Sequence, residues 1–161
     1  MEDMNSRRNK ATESFWSLRK IWLSKYITLK QKVKIFKATC IPIFLYGSET
    51  WIINDKMKNK INAFATKSYR YMLGVSKLER IKNTEILKTV KEKELIKNVF
   101  NRQNNFINKN LYTDNNGIVN KYLMYEPTFG KMKRGASSKL YSKYIQSILV
   151  NPVDINNNSL R

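Results

Sequence analysis

The sequence predicts an all-α protein, an irregular helical bundle of about five or six helices with a disordered C-terminal tail. Apolar residues recur at three- and four-residue spacing along most of the chain, which is the helical repeat. Glycine and proline are scarce, with five and three residues among 161. A chain of this length with 42% hydrophobic residues suits one domain, or one domain with a tail, and can bury a core.

A first helix is predicted over residues 2–25, with Phe15, Leu18 and Trp22 on one face. A short connector follows it. Thr28 is then a candidate N-cap for a second helix, because its hydroxyl can accept a hydrogen bond from a free backbone N–H in the first turn.

The second helix opens residues 30–51, the stretch around which the chain is organised. On this helix a row of lysines lies beside the apolar row, displaced from it by one residue around the helix axis. The apolar row is Leu29, Val33, Phe36, Cys40 and Ile43, and the cationic row is Lys30, Lys34 and Lys37. Pro42 lacks a backbone donor, so we expect this helix to kink or restart near residues 38–41.

A third helix is predicted to begin after a cap at Asn54 or Asp55 and to end at Gly74. It repeats the pattern of the second helix. Its inward row is Met57, Ile61, Phe64, Ser68 and Met72, and its neighbouring basic row is Lys56, Lys60, Lys67 and Arg70. If the second and third helices pack by their apolar rows, both basic rows face one groove. That arrangement is a geometric hypothesis.

The remaining elements are less sharply marked. Asn83 is a candidate cap for a short helix. A longer helix is expected over residues 92–111 with Leu95, Val99, Phe106 and Asn110 near one face, then a polar loop over 108–120. Residues 122–125 suit either helix or strand, and residues 131–135 are predicted to form a basic loop. A last helix is predicted over residues 138–149, with these residues inward: Leu140, Tyr144, Ile145 and Ile148.

The predicted organisation of the whole chain has three parts. They are a helical bundle over residues 1–90, a basic helical segment over residues 91–150 and a disordered tail over residues 151–161.

Charge indicates the class of partner. The chain has 31 Lys and Arg, 12 Asp and Glu and no His, a formal net charge of +19. Such self-repulsion favours an anionic partner, nucleic acid first and an anionic membrane surface second. The alternative is a solvated lysine surface without a partner.

The numbers of cysteines and histidines and the hydropathy of the chain exclude several kinds of site and of protein. A single cysteine excludes an internal disulfide, and without histidine the usual zinc sites are excluded. Cys40 lies on the apolar row, where a buried inert thiol is expected. No run of 18 apolar residues is present, so no membrane span is predicted. The charged N-terminus has no apolar segment after it, so an intracellular protein is expected.

Three blocks follow one another in the first 90 residues. They are DMNSRRNKATESFWSLRKIWLSK (3–25), KQKVKIFKATCIPIFLYGSETW (30–51) and FATKSYRYMLGVSKLERIKNTEILKTV (64–90). In this order they resemble the region downstream of the polymerase palm in LINE-type non-LTR retrotransposon endonuclease–reverse transcriptases. Three ordered blocks are far more specific than any one alone.

The resemblance implies the thumb and the start of the C-terminal segment, a helical bundle that holds the template–primer duplex. By analogy, the nucleic-acid contacts are Lys30, Lys34, Lys37, Lys60, Lys67, Arg70, Lys133 and Arg134. Such contacts to phosphates position the duplex and carry no sequence information. The implied partner is an RNA–DNA hybrid or duplex, or the element's RNA, and the implied location is nuclear.

The resemblance also implies a chain without a catalytic centre. The family's endonuclease and palm lie upstream of the matched blocks, and no (F/Y)-x-D-D motif occurs here. We therefore expect no enzymatic activity, no catalytic residue and no cofactor in this chain, since the divalent metal of polymerase chemistry belongs to the missing palm.

A further set of matched residues is expected to be structural: Tyr46, Gly47, Glu49, Trp51, Leu73, Gly74 and Asn83. We expect Tyr46, Glu49 and Trp51 to fix the junction between the second and third helices. Glu49 is a candidate partner for Arg70 and the ring tips, since a buried acid needs such partners. Stacking of Tyr46 or Trp51 on a base or sugar is the alternative.

The likeness decays in the C-terminal half. Arg102 is kept, but the family's following Gly-His pair is absent, and Ser137 and Tyr141 stand where the family has Pro and Trp. Three other interpretations stay open: a stand-alone basic helical RNA- or DNA-binding module, an interaction protein that docks on acidic proteins or membrane, and a translated transposon remnant without function.

Overall fold

The computed structural model of this chain describes residues 2–112, 118–123, 125 and 141–150. The helices of the described residues are α1 (Glu2–Ser17), α2 (Arg19–Leu23), α3 (Leu29–Phe44), α4 (Asp55–Leu73), α5 (Asn83–Val90), α6 (Ile96–Tyr112), α7 (Ile118–Leu123) and α8 (Tyr141–Val150). Short 3₁₀ turns occupy Ser48–Thr50 and Lys77–Glu79, and these described ranges contain no strand. The predicted all-α fold class is confirmed. The predicted tail and the basic loop with Lys133 and Arg134 lie outside the described residues.

The chain divides into two compact units. Unit 1 contains Met1–Ser48 and Ile53–Val99, and unit 2 contains Glu49–Ile52 and Phe100–Arg161. A four-residue piece of the connection between α3 and α4 therefore belongs with the C-terminal part of the chain. The division at residue 90 that the sequence suggests stays a prediction.

Phe36 of α3 is the centre of the core of unit 1, with no exposed surface. Its ring centroid lies 5.9 Å from that of Phe15 in α1. It lies 5.8 Å from that of Phe64 and 5.5 Å from that of Tyr69, both in α4. Aromatic pairs at such separations add to the gain from burying their area. One side chain thus joins three helices.

The predicted first helix is interrupted, because α1 ends at Ser17 and α2 begins at Arg19. Trp22 of α2 is buried, stacks on the Phe15 ring at 5.1 Å, and its Nε1–H donates to the Phe15 carbonyl at 2.6 Å. The last carbonyls of a helix lack partners within it. The indole therefore serves as a side-chain cap for the end of α1.

α3 begins at the predicted cap. The Thr28 hydroxyl accepts from the Gln31 backbone N–H, and the Gln31 side chain accepts in return from the Thr28 backbone N–H. The predicted restart near residues 38–41 is wrong, since α3 runs without interruption through Pro42. Pro42 stands in the last turn, where its missing N–H removes a single backbone hydrogen bond.

Most of the predicted apolar row of α3 faces the core. Val33, Phe36 and Cys40 are buried, whereas Ile43 is 36% exposed and Phe44 is fully buried in its place. Steps of four residues from Phe36 stay on the inward face, and the three-residue step to Ile43 leaves it. Burial raises the pKa of the Cys40 thiol, which disfavours the reactive thiolate.

The prediction for α4 is confirmed at both ends. The Asn54 side chain accepts from the Met57 backbone N–H at 2.9 Å, and Gly74 closes the helix with φ +71°. The predicted inward row is buried throughout: Met57, Ile61, Phe64, Ser68 and Met72.

α6 begins at Ile96 rather than at residue 92. The Asn62 side chain of α4 accepts from the Ile96 backbone N–H at 3.0 Å, so a neighbouring helix supplies the cap. The predicted face is only partly right, because Phe106 and Asn110 are half-buried beside the buried row. That row is Ile96, Val99, Gln103 and Ile107.

The last described helices belong to unit 2. α7 begins inside the segment predicted as a polar loop and covers residues 122–123 as helix. α8 begins at Tyr141, within the range predicted for the last helix. Ile145 of α8 and Ile107 of α6 are buried together, with Phe106 and Tyr141 packed against them.

We expect Phe36→Ala to lower the free energy of unfolding by about 3–5 kcal/mol, because it removes the ring between α1 and α4 and leaves a cavity. Urea denaturation followed by tryptophan fluorescence measures this change, since Trp22 stacks on Phe15 next to the cavity. Ile43→Ala, on the exposed side of the same helix, is the matched control and should cost about 0.5 kcal/mol or less. Equal losses in the two variants would contradict a core centred on Phe36.

Candidate nucleic-acid interface

A groove of about 670 Å³ lies between α1 and α4 in unit 1, and we call it the α1–α4 groove. It combines cations with aromatic rings. Its cations are Arg8, Lys60, Lys67 and Arg70, and its rings are Phe15, Trp16, Phe64 and Tyr71. Among the described residues that line it, none is acidic.

The helical repeat explains why these side chains meet. Arg8, Thr12 and Trp16 recur every four residues on α1, so they share one face of that helix. Lys60 and Lys67 bring the basic row of α4 to the opposite wall. Arg8 and Trp16 were not among the predicted contacts, although their four-residue spacing through Thr12 is a signal in the sequence.

Two of the four cations of the groove have no acidic partner among the described residues. Neither Arg8 nor Lys67 forms an ion pair within the described part of the chain. Without a lining carboxylate, the positive potentials of the two walls add. The groove is therefore suited to an anionic ligand.

The basic row of α3 lies elsewhere. Lys30, Lys34 and Lys37 are exposed, and none of the three lines the α1–α4 groove. Lys37 lines a separate cleft, where its Nζ pairs with both carboxylate oxygens of Glu92 at 2.8 and 3.0 Å. The hypothesis that the rows of α3 and α4 share one groove is wrong for Lys37, and α1 supplies the second wall instead.

Arg70 bonds to the backbone and an amide beside the groove. Its Nη2 donates to the Ile81 carbonyl and to the Asn83 side chain, the latter at 3.1 Å. Asn83 is therefore not the predicted cap of α5; Lys82 holds that position and makes no side-chain cap. Arg70 ties the last turn of α4, which ends at the half-buried Leu73, to the start of α5.

Glu49 is held by unit 2. Its carboxylate pairs with Arg102 of α6 at 3.4 Å, and its backbone carbonyl accepts from the Tyr141 hydroxyl of α8. The predicted pair of Glu49 with Arg70 is wrong. Arg102 matches an arginine of the family that the sequence resembles, but spacing alone did not connect it to Glu49.

Trp51 is 6% exposed, and a chain of hydrogen bonds in unit 2 fixes its backbone. The Gln103 side chain donates to the Trp51 carbonyl at 2.7 Å and accepts from the Tyr144 hydroxyl at 3.0 Å. Both ends of the buried amide are thus satisfied. These contacts fix the backbone of Trp51 within unit 2, and its role at the junction of the second and third helices stays a prediction.

Tyr46 and Gly47 form the turn after α3. The Tyr46 ring is 64% exposed, and the Arg7 guanidinium lies over it, 4.5 Å from its centroid. Gly47 has φ +71°, a left-handed conformation that favours glycine. The turn therefore lets the chain leave α3 sharply and enter the 3₁₀ turn at Ser48.

We expect Arg70→Lys to lower the free energy of unfolding by about 1–3 kcal/mol, because lysine keeps the charge but cannot reproduce the forked bonds to Ile81 and Asn83. Urea denaturation measures the loss. Lys67→Gln, one turn earlier on α4, is the control and should be nearly neutral. Unchanged stability in Arg70→Lys would argue against a structural role for Arg70.

Stability should fall at high pH through Tyr141. Burial, helped by negative charge at Tyr144 and Glu49, raises the pKa of Tyr141 from 10.0 to about 12. The unfolded chain loses this proton near pH 10 and the folded chain near pH 12. The contribution of Tyr141 is therefore complete below pH 10 and is lost as the pH rises towards 12.

Tyr141→Phe should reduce the slope of that part of the profile of unfolding free energy against pH. It should not abolish the slope, because burial also raises the pKa of Tyr69. The control is Tyr26→Phe, since Tyr26 is 99% exposed and should leave the slope as it is. A slope between pH 10 and 12 that is as steep in Tyr141→Phe as in the unchanged protein would show that other groups cause all of it.

No group of three or more His, Cys, Asp and Glu able to hold a metal ion occurs in the described ranges. None of the helices in those ranges has the length and apolar character needed to cross a membrane. The chain matches no protein-family model, no curated protein and no solved structure. What the α1–α4 groove binds therefore has to follow from its own charges and rings.

Proposed function

We propose that this chain is a fragment of a non-LTR retroelement reverse transcriptase, covering the thumb and the segment after it, and that it binds template–primer nucleic acid through backbone charge. The observation that carries the proposal is the α1–α4 groove, where cations from two helices face one cleft without a lining acid among the described residues. Phosphates are the ligands that such a surface attracts most generally.

The net charge of +19 supports the same partner. Binding to a polyanion relieves the self-repulsion of the chain and releases counterions from the nucleic acid, which favours association. Since contacts of this kind go to phosphates, they hold the duplex without reading its sequence.

The resemblance supports the retroelement origin. The block over residues 3–25 supplies Arg8 and Trp16, and the block over residues 64–90 supplies Lys67 and Arg70. The two walls of the groove thus come from two of the three blocks that resemble the family. In this proposal the chain performs no chemical step, and the metal ions of polymerisation belong to a palm encoded elsewhere.

The stand-alone module is the closest rival, because the same groove would serve it. A thumb holds the hybrid that leaves the polymerase, so the proposal expects tighter binding to an RNA–DNA hybrid than to duplex DNA of the same length. Equal affinity for the two would favour a module that binds nucleic acid for its own purpose.

We expect the logarithm of the association constant for a labelled hybrid to fall linearly with the logarithm of the salt concentration, as measured by fluorescence anisotropy. Lys67→Gln should reduce the slope by about 0.9, the value of one neutralised phosphate contact. Lys58→Gln is the matched control, because Lys58 is exposed on the same helix but does not line the groove.

Lys34→Gln extends this test to the basic row of α3. A reduced slope in Lys34→Gln would add that row to the interface, and an unchanged slope would confine binding to the α1–α4 groove. A salt slope near zero in the unchanged protein would refute phosphate binding altogether and favour the docking of an acidic protein through shape and apolar contact.

A further inference from the structure

We infer that the α1–α4 groove binds an unpaired base of single-stranded nucleic acid, which stacks on Trp16 while Arg8 and Lys67 contact the neighbouring phosphates. This inference rests on the proposed function, since it assigns a class of substrate to the same groove. It goes further, because backbone charge alone makes no distinction between paired and unpaired strands.

Trp16 is placed to offer a free ring face. It is 50% exposed, whereas Trp22 and Trp51 are buried. Its two ring neighbours are Phe15, at 5.6 Å and 80° between planes, and Tyr71, at 4.9 Å and 77°. Both meet the indole at nearly right angles, so no ring of the described residues lies flat on it.

The indole is also held in place before any ligand arrives. Phe15 is anchored in the core, where Trp22 stacks on it. The Tyr71 hydroxyl accepts from the Arg19 Nε–H at 3.2 Å, which fixes the second neighbour of Trp16. A ring that is already ordered loses little conformational entropy when a base stacks on it.

Arg8 lies on the same face of α1 as Trp16, about two turns closer to the N-terminus. Arg8 and Trp16 are eight residues apart on α1, which separates them by about 12 Å along the helix axis. A base on Trp16 and a phosphate at Arg8 would therefore belong to different nucleotides of one strand. Lys67 faces them from α4 across the groove.

The base that stacks on Trp16 is unpaired for a physical reason, so it belongs to a single-stranded part of the template–primer and not to its paired part. A base inside a duplex is covered on both faces by its neighbours, so only an unpaired base can present a face to the indole. A cleft of about 670 Å³ has the size of pockets that enclose small molecules. Aromatic rings within a basic groove are the usual means of binding single strands without sequence preference.

The test compares a short oligothymidylate with an oligonucleotide of the same length in which every base is missing. Both carry the same phosphates, so their difference isolates the base. We expect the full-length, unchanged protein to bind oligothymidylate about tenfold more tightly in fluorescence anisotropy, the effect of about one stacked base. Thymidylate should also quench the exposed Trp16 fluorescence, whereas the abasic strand should not.

Trp16→Ala should abolish the difference between the two strands and the quenching. Trp16→Phe, which keeps a ring and preserves the packing on Tyr71, should retain most of the preference and guards against a folding defect in the alanine variant. Tyr26→Ala is the matched control, since it removes a 99% exposed ring that does not line the groove.

The outcomes separate the two proposals. Equal affinity of the unchanged protein for both strands, with a steep salt slope, would overturn base stacking and leave binding through backbone charge in place. Failure to bind either strand at low salt while the RNA–DNA hybrid is still bound would overturn the stacking proposal alone, and failure to bind the hybrid as well would overturn both. A preference for thymidylate that persists in Trp16→Ala would place the stacking ring elsewhere and overturn the assignment to Trp16.

Discussion

Burial of the Phe36 ring between Phe15 and Phe64 is the contact on which the rest of unit 1 depends. Each ring comes from a different one of the three motif blocks, so the blocks meet at one point in space although they are separated in sequence. The same contact fixes α1 and α4 on either side of α3. The walls of the α1–α4 groove are therefore positioned by the core and not by the charged residues that line it.

Elements whose signals are local could be predicted from the sequence. The ends of α4 follow from a cap at Asn54 and a left-handed glycine at Gly74, and the start of α3 follows from Thr28. Each signal acts within one helical turn, so neighbouring residues suffice to decide it. The inward row of α4 could also be predicted, because the apolar residues of this long helix recur with the helical period and so mark a single face as buried.

Features that depend on distant partners could not be predicted. The break between α1 and α2 accompanies the bond from Trp22 to the Phe15 carbonyl, and the start of α6 depends on Asn62 of another helix. The partner of Glu49 is Arg102, which lies far along the chain. The second wall of the groove depended on how α1 crosses α4, and a helical period carries no information about crossing angle or handedness.

The contacts of individual cations show that positive charge alone does not identify the residues that are available to bind phosphate. Lys37 is paired with Glu92 and Arg70 is bonded to Ile81 and Asn83, so two of the predicted phosphate contacts already have partners within the fold. A row of lysines in the sequence therefore overstates the phosphate contacts that the folded chain offers. The α1–α4 groove combines its cations with four aromatic rings. Coulombic attraction to phosphate is general and screened by salt, whereas a fixed indole face discriminates between paired and unpaired bases. Any selectivity of this protein among nucleic acids is thus expected to come from Trp16 and its ring neighbours more than from its excess of lysine.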